Sequence, residues 1–140
     1  SGKILILRHV LEHVRDPFAF MRMFLSQGVD RFYIVLPNTA HIYNRIFKGG
    51  CCFYDVPRHL WFFDKVSLMH LLKRLSLKVE SSGFDTIPVL IGSFFRSLKL
   101  RHVSDRFAAP FHPQGIVSTL SAPIEWIAPG NVLWCVARKI

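Results

Sequence analysis

The residues best suited to chemistry lie in two phrases. The first is Leu7-Arg8-His9-Val10-Leu11-Glu12-His13-Val14-Arg15-Asp16-Pro17, and the second is Tyr54-Asp55-Val56-Pro57-Arg58-His59. Each holds an imidazole, and an imidazole exchanges protons near neutral pH. His9 and His59 are therefore the candidate general bases. His9-Val10-Leu11-Glu12-His13 also fits the H-x-x-E-H pattern of inverted zinc peptidases, in which two histidines share one face of a helix. That chemistry needs a third ligand and a continuous helix through the motif. Here the helix is expected to start only at Asp16, a good N-cap followed by a proline suited to the first helical position. No metal is expected, and Glu12 and His13 are read as bracing the helix start through backbone hydrogen bonds.

The elements that would position these residues can be read from periodicity. Ile4-Leu5-Ile6-Leu7 is a short aliphatic run, as in a parallel strand buried on both faces. The Asp16–Gln27 helix places Phe18, Met21 and Leu25 on one face, with Phe20 and Phe24 beside them and Gly28 suited to the position after its end. Arg31–Leu36 is the next strand, ended by Pro37-Asn38, so the span reads as a strand–helix–strand unit with parallel strands. The first phrase then lies beyond the carboxyl end of a parallel strand, where open α/β sheets bind ligands.

A short helix over Thr39–Phe47 follows. Asp64 caps another helix that buries Val66, Leu68, Met69, Leu72 and Leu75, with Trp61-Phe62-Phe63 before it read as core. Leu77–Ser81 alternates apolar and polar residues like a half-buried edge strand, and Asn131–Arg138 suits an interior strand. Residues 87–129 are irregular, with helical spacing in Ile91–His102 and Gly115–Ile127.

Three observations together carry a resemblance. The first phrase, the strand ending Leu36-Pro37-Asn38, and Asp55-Val56-Pro57-Arg58-His59-Leu60-Trp61-Phe62-Phe63 follow one another in this order. The chain resembles class I S-adenosylmethionine-dependent methyltransferases, in particular the group that includes the ubiquinone-biosynthesis O-methyltransferases. The resemblance implies the C-terminal half of a Rossmann-like sheet: two parallel strands with crossover helices, then a final antiparallel strand pair. Residues 1–140 would be a partial methyltransferase domain running from the fourth strand to the last, and 87–129 a variable helical cover within it.

It also implies roles. Leu7, Arg8 and His9 match positions bordering the methionine end of S-adenosyl-L-methionine. Asn38, Tyr54, Asp55 and His59 match positions facing a small-molecule acceptor. The glycine-rich cofactor loop of the family's first half has no counterpart here, since the chain's paired glycines, Gly49-Gly50, follow a helix. The chain is thus expected to be inactive alone, and to partner the missing N-terminal half or associate with itself through its opening strand.

Composition bounds the alternatives. In 140 residues, 18 basic and 9 acidic side chains leave a net charge of +9, which favours anionic partners. The charge is scattered and no nucleic-acid motif accompanies it, so no specific nucleic acid is expected. A weak contact with anionic membranes through the basic, Phe-rich Ile91–Phe111 stretch is the alternative: a degenerate domain kept as a membrane- or partner-binding module. Cys51, Cys52 and Cys135 are an odd set and a poor disulfide framework, which fits a reducing compartment and a cytoplasmic location.

Overall fold

The computed structural model describes residues 2–47, 51, 56–87, 98 and 130–140. In chain order its elements are β1 (Lys3–Arg8), α1 (Pro17–Ser26), β2 (Val29–Pro37), α2 (Ile42–Phe47), α3 (Lys65–Arg74), β3 (Leu77–Asp85) and β4 (Val132–Lys139). The strands form one four-stranded sheet in the order β1-β2-β4-β3. β1 and β2 run parallel, with Ile6 opposite Tyr33 and Leu7 opposite Ile34. The last strand inserts antiparallel between β2 and β3. This is the expected α/β arrangement of a parallel pair followed by antiparallel strands. The expected helical cover over 87–129 lies outside the described residues, apart from Ile87 and Leu98.

Local chemistry sets the helix ends. The Asp16 side chain accepts from the Ala19 N–H at 3.0 Å, and Pro17 occupies the first helical position of α1. After the helix Gly28 takes a φ of +84°, a backbone that side-chain-bearing residues adopt at a cost. α3 starts on a reciprocal cap: the Ser67 N–H donates to Asp64 at 2.7 Å, and the Asp64 N–H donates to the Ser67 hydroxyl at 2.9 Å. The N–H and the hydroxyl of Ser67 both donate to the Asp64 carboxylate and hold it below its ordinary range, against a smaller opposing effect of burial.

The core lies on one face of the sheet. Leu7, Phe32, Ile34, Leu36, Leu133, Cys135 and Ala137 meet Met21 of α1 and Leu68 and Leu72 of α3, with Leu11 and Phe63 closing its edge. Phe18, Phe20, Phe24 and Leu25 pack against this cluster, as the spacing of α1 predicts. A smaller cluster on the other face joins Val35 and Val132 to Tyr43 of α2 and to Cys51. Burial pushes the Cys135 thiol up to about 11 despite the nearby Lys65 charge.

Three expectations need correction. β1 is not buried on both faces: Leu7 is buried, but Ile4 and Ile6 are 58% and 65% exposed. The reason is topological, because β1 is an edge strand and α1 covers only the face that carries Leu5 and Leu7. Of the aromatic triplet only Phe63 enters the core, while Trp61 and Phe62 stay exposed. The Trp61 indole instead donates to the Val14 carbonyl at 3.0 Å, tying this segment to the loop after β1. Val66, in the first turn of α3, is exposed as well, since Leu68, Leu72 and Leu75 define the buried stripe.

Candidate functional site

The loop after β1 starts with a strained residue. His9 sits at φ +53°, in the left-handed region that a residue with a side chain enters only when its surroundings hold it there. Two bonds hold it. Its N–H donates to the Val35 carbonyl at 2.9 Å, extending the β1–β2 pairing. Its ring Nδ1 lies 3.1 Å from Oε1 of Glu12. A carboxylate oxygen accepts, so Nδ1 is the donor and Nε2 is left as the lone-pair nitrogen. A carboxylate thereby orients an imidazole whose far nitrogen can take a proton, the logic shared by many catalytic histidines.

His9 opens on a cavity of about 280 Å³ that Arg8, Tyr33, Val35, Asp85, Ile87 and Val132 also line. It lies where β1 ends and β3 runs out, with a cation and a carboxylate in its wall. A larger groove, about 410 Å³, runs beside α1 and α3 past Phe18, Trp61, Phe62 and Arg74. That groove is mostly apolar, and its Arg74 guanidinium rests 4.8 Å from the centre of the Phe18 ring. We assign the site to the smaller cavity, because it combines the carboxyl end of a parallel strand with groups able to move protons.

The loop residues Val10–Arg15 form turns rather than a helix, so His9 and His13 do not share a helix face and the zinc-peptidase geometry is not formed. Glu12 is 1% exposed. Its carbonyl accepts from the Leu60 N–H at 2.7 Å and the Trp61 N–H at 3.2 Å, and His13 Nδ1 donates to the Arg58 carbonyl at 2.9 Å. These bonds tie Glu12 and His13 to residues 58–61, not to the helix start as expected, which Asp16 caps by itself. His59 stands edge-on to His13, with ring centres 4.7 Å apart. Glu12, His13 and His59 bring one donor atom each to within 4.8 Å of one another.

The expected site residues are distributed as follows. Arg8 and His9 line the cavity, while Leu7 points into the core beneath it. His59 belongs to the Glu12–His13 cluster. Asn38 is buried, its amide donating to the Gly130 carbonyl at 2.7 Å and accepting from the Ala40 N–H at 3.1 Å. It ties the end of β2 to the start of β4, where the Asn131 amide is in turn bonded to both the N–H and the carbonyl of Ile87. Tyr54 and Asp55 lie outside the described residues. Sequence reasoning missed Tyr33 and Asp85 as wall residues. The alternation of β2 puts Tyr33 on the uncovered face, but Asp85 follows a bulge between Val79 and Ser81, which no local pattern announces.

No family model matches the chain, and no curated protein does. Solved structures of the same fold do match. One is a SAM-dependent methyltransferase from Archaeoglobus fulgidus, similar with a TM-score of 0.56 and 17% identity over 98% of this chain and 59% of that one. Another is a Bacillus halodurans protein assigned as a methyltransferase, with a TM-score of 0.54 and 12% identity over 97% of this chain and 63% of that one. The chain therefore spans less than two thirds of the length of these structures, and what it shares with them is the fold.

Proposed function

We propose that this chain is the C-terminal portion of an S-adenosylmethionine-dependent methyltransferase acting on a small-molecule acceptor. One observation carries the reading. In a sheet shared with methyltransferases, the strained and carboxylate-oriented His9 stands at the mouth of a cavity beyond the carboxyl end of β1. Ligands of open α/β sheets bind at that end.

When bound, S-adenosylmethionine supplies an activated methyl group on its sulfonium. Leu7, Arg8 and His9 would border its methionine end, where the methyl group would be open to in-line displacement by the acceptor, the bonding pair leaving with the thioether. The chain's own residues orient the reactants and handle the proton. His9 Nε2 would take the acceptor's proton, with Glu12 holding the ring. Arg8 and Asp85 give the cavity a cation and an anion with which to orient polar groups. His59 is the second candidate base, and Asn38, Tyr54 and Asp55 are carried over from the resemblance as acceptor-side residues.

The rest of the cofactor site would come from residues ahead of Ser1 or from a separate chain, as the 59% and 63% coverage of the methyltransferase structures supports. Among the described residues β1 is an edge strand, to which such a partner, or a second copy, could add a strand. A cytoplasmic setting suits the buried Cys135, whose thiol is in no disulfide. Among the described residues no helix is long and apolar enough to cross a membrane. The basic stretch proposed for anionic membranes lies almost wholly outside the described residues.

Calorimetric titration of S-adenosylhomocysteine tests the reading. A form extended upstream of Ser1 is expected to bind, and the 140 residues alone to bind at least tenfold more weakly. Failure of both to bind overturns it and turns attention to the degenerate-domain alternative.

A further inference from the structure

We propose that Glu12, His13 and His59 form a binding site for a divalent transition-metal ion, zinc by the chemistry of its donors. This goes beyond the methyltransferase reading, and it departs from the sequence expectation of no metal. One donor atom from each residue already lies within 4.8 Å of the other two. Donors around a tetrahedral zinc ion, each roughly 2.0–2.2 Å from it, stand about 3.4 Å apart. Binding an ion would therefore draw the Glu12 and His59 side chains in toward His13.

Two further observations point to a ligand. Glu12 is 1% exposed, and its Oε2 has no hydrogen-bond partner although Oε1 is engaged by His9. A buried carboxylate oxygen is rarely left without a partner, and a cation supplies one. His13 is also in the tautomer that ligation requires. Its Nδ1 donates to the Arg58 carbonyl at 2.9 Å, which fixes the ring and leaves Nε2 with its lone pair. Metal-bound histidines are commonly oriented by such a bond from their other nitrogen.

The donor set fits a borderline ion. Two imidazoles and one carboxylate suit zinc better than magnesium or calcium, which prefer all-oxygen sites. His13 is exposed, so the ion has a way in and can keep a water in its remaining position. Once bound, the ion would clamp the loop after β1 to residues 58–61, reinforcing the bonds from the Leu60 and Trp61 N–H groups to the Glu12 carbonyl. The site thus joins both histidine phrases of the sequence.

The test is calorimetric titration of zinc chloride into the chelator-stripped 140-residue chain, without any cofactor present. The expected result is one ion per chain, with affinity falling at least tenfold in Glu12→Gln, His59→Gln and His13→Gln. His70→Gln, an exposed histidine on α3, should bind like the unmodified chain. Circular dichroism checks each fold; if Glu12→Gln unfolds, the exposed His13→Gln decides alone. Absence of saturable uptake, or equal affinity in the unmodified chain and His13→Gln, means an adventitious ion only and overturns the proposal. Because the readout is metal uptake, it stands or falls apart from cofactor binding.

Discussion

The two faces of the sheet are built to different degrees of closure. On one, Phe32, Ile34, Leu36, Leu133 and Cys135 are sealed under α1 and α3. On the other, Val35 and Val132 are covered by Tyr43 and Cys51, while Ile4, Ile6 and Tyr33 remain open toward the β1 edge. The closed face gives the chain its stability. The open one carries the cavity with Arg8, His9 and Tyr33, so the candidate site sits on the side that α1 and α3 leave uncovered. On the proposed reading, stability and function are divided between the two sides of one layer, and substitutions should separate them.

The largest effect is expected from the closed face. Leu72 is fully buried between α3 and the strands, so Leu72→Ala should cost about 2–5 kcal/mol in urea unfolding. Ile6→Ser, on the open face, should change stability by no more than about 0.5 kcal/mol and improve solubility. Equal losses at the two positions would break the distinction.

An intermediate effect comes from the cap that anchors α3 over the closed face. Asp64→Ala removes a reciprocal pair of bonds and should cost about 0.5–2 kcal/mol. Because the folded carboxyl titrates below its unfolded range, its contribution is fully present above the unfolded pKa of about 3.9 and is lost as pH falls through the lower folded value. Stability measured from about pH 5 to about pH 2 should therefore fall less steeply in Asp64→Asn than in the unmodified chain. Parallel acid profiles would remove Asp64 from the account.

The smallest effect compares two residues in the left-handed region. Ser76, at φ +54°, makes the turn from α3 into β3, and His9, at φ +53°, makes the turn into the site. Glycine relieves such a backbone by about 1 kcal/mol. Ser76→Gly should raise stability with no other consequence. His9→Gly relieves the same strain but loses the bond to Glu12, so it should gain less and should abolish methyl transfer in the complete protein. Retained transfer would show that the His9 conformation serves packing alone.

Much of the frame was legible because it rests on local rules. Asp16, Pro17 and Gly28 bound α1, and Asp64 starts α3, through interactions made within a few residues. What local pattern could not supply was cover. Ile4-Leu5-Ile6-Leu7 has the composition of a doubly buried strand, yet which faces are sealed depends on where the helices land: α1 and α3 cover the Leu7 face, and α2 covers the other only at Val35 and Val132. Trp61 was read as core from its type, but its indole N–H is used on the Val14 carbonyl. The site was half legible. His9 and His59 stood out by type, whereas the junction of His59 with Glu12 and His13 depends on bonds such as that from His13 to Arg58, 45 residues further along the chain.

The central claim is that the cofactor's methionine end meets the carboxyl end of β1. Ultraviolet cross-linking of methyl-labelled S-adenosylmethionine tests it most directly, in a form of the protein extended ahead of Ser1, followed by peptide mapping. The account predicts label within Leu7–His13, competed away by S-adenosylhomocysteine and reduced in His9→Gly. Competable label confined to the groove beside Phe18, Trp61 and Arg74 would contradict it.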